Sequence, residues 1–173
     1  MRTEMAKRIA AIWFLLLVLI LLLAGMVAAQ ERLPREDRKP APTWHEPSGP
    51  AKVLYEQATK FFETGDYAKA AEAYKQITRL RPEDFVAHSL LGFSYKFLGR
   101  YNEALSAFKE AVRLNPDIAP LYSELGDTYC KLGRHQEAIE AFKQAIRLNP
   151  DGVEAYLGLG LAYGDLGSNL GRQ

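Results

Sequence analysis

Leu91-Gly92-Phe93-Ser94-Tyr95-Lys96-Phe97-Leu98-Gly99-Arg100 returns as Leu125-Gly126-Asp127-Thr128-Tyr129-Cys130-Lys131-Leu132-Gly133-Arg134. Further on, Ala107-Phe108-Lys109-Glu110-Ala111-Val112-Arg113-Leu114-Asn115-Pro116 returns as Ala141-Phe142-Lys143-Gln144-Ala145-Ile146-Arg147-Leu148-Asn149-Pro150. The offset from Leu91 to Leu125 is 34 residues, and it holds across both passages without an insertion. A fixed period of that length predicts stacked helical units, each burying its apolar face against its neighbours.

Alignment on Pro82, Pro116 and Pro150 extends the repeat in both directions. It predicts a divergent first copy at 51–84, full copies at 85–118 and 119–152, and a partial copy or terminal helix at 153–173. Within a copy the apolar positions recur at helical spacing, as in Ala104, Leu105, Phe108, Ala111 and Val112. Gly65, Gly99 and Gly133 fall between the two helical stretches, where a residue at positive φ closes a helix. Asp117 and Asp151 follow the prolines and are expected to cap the next helix. The unit is a helix, a tight turn and an antiparallel helix, so the fold class is all-α, an α-solenoid of helix hairpins.

At these residues the chain resembles the tetratricopeptide repeat. That family's signature has a bulky residue at place 4, Leu at 7, a small residue at 8, Tyr at 11, Ala at 20, an aromatic at 24, Ala at 27 and Pro at 32. The second copy supplies His88, Leu91, Gly92, Tyr95, Ala104, Phe108, Ala111 and Pro116. The third supplies Tyr122, Leu125, Gly126, Tyr129, Ala138, Phe142, Ala145 and Pro150. The first copy departs from the pattern at Gln57 and Ile77, as terminal repeats often do. Gly92 against Ala104, and Gly126 against Ala138, are expected to let the paired helices approach closely, with Phe108 and Phe142 filling the space between hairpins.

The resemblance implies a concave face, built from the first helix of each repeat, that holds an extended or helical peptide. Places 2, 5, 9 and 12 line it in the family. In the first copy these are Lys52, Tyr55, Thr59 and Phe62, and in the second Val86, Ser89, Phe93 and Lys96. In the third they are Pro120, Ser123, Asp127 and Cys130. A subset of the family grips the C-terminal carboxylate of chaperone tails with Lys and Asn at places 5 and 9 of the first repeat. Tyr55 and Thr59 stand there, so that function does not carry over.

The rest of the chain bounds where such a scaffold works. Residues 9–29 carry no charge, and Arg2, Lys7 and Arg8 precede them, which directs the following chain across a membrane. Two readings stand: a signal peptide, favoured by the small residues Val27-Ala28-Ala29, or an anchor of 21 apolar residues. Either places the repeats outside the cytoplasm, periplasmic or secreted after cleavage and membrane-attached otherwise. Residues 30–50 mix Pro34, Pro40, Pro42, Pro47 and Pro50 with dense charge, which predicts an extended, disordered linker.

A formal net charge of +1 gives no field to recruit nucleic acid. The single cysteine, Cys130, excludes an intramolecular disulfide. His45, His88 and His135 are scattered, and no phosphate-cradling loop, nucleophile motif or metal-ligand cluster is legible, so no cofactor and no catalysis are expected. The expected function is a non-catalytic adaptor binding a protein or peptide. The alternative is a regulatory or substrate-presenting segment of a larger enzyme or of a secretion or assembly complex, from a truncated gene product. In the partial fourth copy Leu157, Leu161 and interior glycines replace the polar face of a capping helix, which predicts a partner or a second copy there, or a longer array of which this is a part.

Overall fold

The computed structural model describes Val18 and residues 49–170; residues 30–48 of the linker and most of the apolar stretch at 9–29 lie outside the described residues, and Pro50, expected in the linker, already opens a helix. Among the described residues from 49 onward, seven α-helices follow one another with no strand. They are α1 (Pro50–Glu63), α2 (Tyr67–Leu80), α3 (Phe85–Phe97), α4 (Tyr101–Leu114), α5 (Ala119–Lys131), α6 (His135–Leu148) and α7 (Val153–Leu170). Three hairpins, α1–α2, α3–α4 and α5–α6, stack in chain order, and α7 packs on the last of them.

The turns inside the hairpins repeat as the sequence does. Gly65, Gly99 and Gly133 have φ of 79°, 72° and 71°, a conformation that costs a residue with a Cβ. The helix that follows starts in one of two ways. Asp66 accepts from the Lys69 backbone N–H at 3.2 Å. Arg100 and Arg134 stand at the same place without a side-chain cap, and each reaches forward instead, to Glu103 and Glu137. Their guanidinium carbons lie 4.7 and 4.8 Å from the ring centroids of Tyr95 and Tyr129. Each turn is thus clasped to the helix before it through a cation–π contact and to the helix after it through an ion pair.

Between hairpins the capping expectation is corrected. Asp84 is the N-cap of α3 and accepts from the Ala87 N–H at 3.1 Å, but the N-cap of α5 is Ile118, which makes no side-chain cap. Asp117 stands one residue too early. Pro120 in the first turn of α5 supplies the pre-set φ that a cap would otherwise help to fix.

The glycines inside the hairpins also seat aromatic rings. Ala104 and Ala138 are fully buried, yet a Cβ placed on Gly92 would meet the Phe108 ring at 2.7 Å, and one on Gly126 would meet the Phe142 ring at the same distance. The missing side chain therefore makes room for the aromatic of the partner helix. A Cβ on Gly158 of α7 would also strike the Phe142 ring. Phe142 is therefore held inside its own hairpin and against the next helix, both by absent side chains. Phe62, Tyr74, Phe108 and Phe142 form the spine of one apolar cluster that also includes Val18, helical and buried.

Candidate functional site

The concave face begins with places 2, 5, 9 and 12 of α1, α3 and α5, and the structure divides them. Toward the N-terminal end the aromatic residues are spent inside the fold. The buried Tyr55 hydroxyl donates to Asp84 Oδ2 at 2.7 Å, which ties α1 to the N-cap of α3. Burial and the adjacent Asp84 carboxylate both hold that phenol far above its ordinary range. The Thr59 hydroxyl lies 3.4 Å from that of Tyr74, itself pushed up to about 12 by burial.

Phe62 is buried edge-on to Tyr67 and Phe97, at 5.2 and 5.6 Å between centroids, and Phe93 is buried edge-on to Phe108 at 5.2 Å. The buried Ser89 hydroxyl donates to the Phe85 carbonyl at 2.7 Å, one turn back. Val86 is buried, and only Lys52 in this half stands exposed. Tyr55, Phe62 and Phe93, expected to line the concave face, are therefore buried within the stack instead. These rings hold hairpins together, because neighbouring helices supply more apolar contact than water does.

Toward the C-terminal end the same register opens. Lys96 Nζ reaches from α3 to α5, donating to Glu124 Oε2 at 2.6 Å and Asp127 Oδ2 at 3.3 Å. Burial pulls the Lys96 ammonium down, but the two carboxylates outweigh it and hold the group above its usual value. Ser123 and Cys130 are half-buried, Pro120 likewise, and Asp127 is exposed. Burial, with Asp127 and Asp165 nearby, pushes the Cys130 thiol up, away from the reactive thiolate form.

Leu157 and Leu161 of α7, read in the sequence only as an apolar end of the stack, occupy places 5 and 9 of the fourth copy and are 65% and 70% exposed. Carrying the 34-residue register one copy further places them in the concave register. Glu124 stands at place 6, outside the family's lining places, and only the fold brings it under Lys96.

The remaining polar residues do not converge. His88 Nε2 lies 3.1 Å from the Pro82 carbonyl, and His135 Nδ1 is buried 3.9 Å from Asp165 Oδ2. Among the described residues no group of three His, Cys, Asp or Glu side chains could hold a metal ion. Among them, too, no helix is long and apolar enough to cross a membrane.

Comparison with known proteins follows the same lines. The first TPR of Spaghetti (RPAP3), bound to the HSP90 peptide SRMEEVD, is 27% identical with a TM-score of 0.66, and the match covers 72% of this chain and 98% of that one. The first TPR domain of human RPAP3 is 27% identical with a TM-score of 0.65, over 71% of this chain and 97% of that one. MamA is 29% identical with a TM-score of 0.66, over 68% of this chain and 69% of its own. No curated protein sequence matches the chain. Family models described as TPR repeat match residues 95–133 and 126–167, and one described as tetratricopeptide repeat matches 51–84. With the turns, the glycine seats and the aromatic spine in that register, the chain belongs to the tetratricopeptide repeat family.

Proposed function

We propose that the protein is a non-catalytic interaction scaffold at the cell envelope that holds a peptide or a partner protein in the C-terminal half of its concave face. The observation that carries this reading is the change along one register. Places 5 and 9 are buried as Tyr55 and Phe93 but stand in solvent as Leu157 and Leu161. Exposed apolar side chains of this kind fit a segment that is itself apolar, not an acidic chaperone tail. At the N-terminal end, where the chaperone-binding subset has Lys and Asn, Tyr55 and Thr59 offer a terminal carboxylate no cation. Residues 9–29 would carry the repeats across the membrane or hold them at its outer side, which N-terminal sequencing of the exported protein tests.

Affinity capture from envelope extract tests the function. The full chain should retain a specific protein that a Leu157→Glu/Leu161→Glu variant loses. Equal capture by both would remove the concave face from the reading. Because Val18 lies in the apolar cluster, a chain lacking residues 1–48 belongs in the same experiment.

A further inference from the structure

Helices α3 and α5 stand in like surroundings, for each has a completed hairpin, a repeat before it and a helix after it. Their concave places nevertheless differ in cover. In α3, Val86, Ser89 and Phe93 at places 2, 5 and 9 are all buried, whereas in α5 Pro120 and Ser123 are half-buried and Asp127 is exposed. Ser89 and Ser123 are the same residue at the same place, so neither size nor polarity separates them. The second helix of the hairpin does not separate them either. It packs alike on both, with Phe108 over Gly92 and Phe142 over Gly126.

Among the described residues of the apolar cluster, Val18 alone comes from outside the repeats. It is helical and 8% exposed, and it shares the cluster with Tyr55, Phe62, Val86 and Phe93 of the concave register. Val18 precedes Gly49 by 31 residues. A chain of that length spans at most about 100 Å, so nearness in sequence does not put Val18 there. The stretch around it, residues 9–29, carries no charge and brings no unpaired ion against an apolar face. In water such a stretch gains from any apolar surface that covers it.

We propose that the N-terminal half of the concave face is a docking site for the chain's own apolar segment, residues 9–29, seated across α1 and α3. The docked segment covers Val86, Ser89 and Phe93 and is itself kept from water until a membrane takes it. The C-terminal half stays free for a partner. The proposal rests on the reading of the concave face as a docking surface and names the occupant of its other end. Capture of a partner depends on Leu157 and Leu161, and self-docking on α1 and α3, so either can fail alone.

The test puts the photo-crosslinking residue benzoylphenylalanine in place of Val18 in the full chain, in detergent-free buffer, and locates the joined residues by mass spectrometry. Cross-links within one chain to concave residues of α1 or α3, Thr59, Val86 or Phe93 among them, are expected. Thr59→Arg sets a charge on that face at a half-buried position and removes no core ring. It should lower the yield about ten-fold, with unchanged circular dichroism showing an intact stack. Vesicles of phosphatidylethanolamine and phosphatidylglycerol should also lower the yield, because the bilayer competes for the segment. An unchanged yield with vesicles would support the docking and count against the membrane role of residues 9–29. Cross-links confined to α2, α4 or α6, or joining two copies of the chain, would overturn the proposal. So would an absence of cross-links to the repeats, or an undiminished yield from Thr59→Arg.

Discussion

Gly126→Ala and Gly160→Ala make the same chemical change at the same place of successive repeats, and the structure gives them opposite signs. Both sit inside helices, where replacing Gly by Ala favours folding by about 0.8–1.0 kcal/mol. At Gly160 nothing opposes that gain, so the variant should be more stable by about that amount. At Gly126 the new methyl carbon would lie 2.7 Å from Phe142 Cε1 and Cζ, where carbon atoms prefer about 3.5–4.0 Å. The ring cannot retreat freely, because the backbone of α7 at Gly158 also lies close against its Cε1 and Cζ. Overpacking of this kind costs about 1–3 kcal/mol. The helix gain is common to both variants, so their difference, about 1–3 kcal/mol in favour of Gly160→Ala, isolates the steric part. Urea unfolding followed by circular dichroism measures it, with unchanged slopes showing that the unfolded states are alike. Equal destabilisation of the two variants would refute the reasoning, for it would mean that something covers Gly160 in solution as Phe142 covers Gly126.

Three further outcomes follow from the packing and the electrostatics. Lys96→Met should destabilise the stack by about 1–3 kcal/mol, because Glu124 loses its cation while remaining mostly buried; restoring the loss with Glu124→Gln in the double variant checks that the pair is responsible. The Tyr74 phenol, at about 12 when folded against an ordinary value of 10.0, is raised, so its contribution is intact below pH 10 and is lost as pH rises through 12. In unfolding titrations Tyr74 should account for about 2–3 kcal/mol of the stability lost over that window, with Tyr55, held higher still, adding its own loss; Tyr74→Phe should reduce the slope without abolishing it. Cys130, half-buried with its thiol pushed up by burial, should react with a disulfide reagent at pH 7 more slowly than a cysteine in a short peptide; a faster rate would show that the stack opens at α5.

The 34-residue period, read with its prolines and turn glycines, determined the helix hairpins and their order, because helical spacing and positive-φ turns are local properties. It did not determine how the hairpins use their side chains. Place 8 reads as glycine in three successive copies, yet at two of them it seats an aromatic ring and at the third it faces open space. Tyr55, Phe62 and Phe93 read as lining residues, yet neighbouring helices absorb them, while Leu157 and Leu161 remain in solvent. Sequence spacing fixes which face of a helix a residue occupies. Whether that face meets another helix or water depends on a neighbour that is distant along the chain, and only the packed stack supplies it.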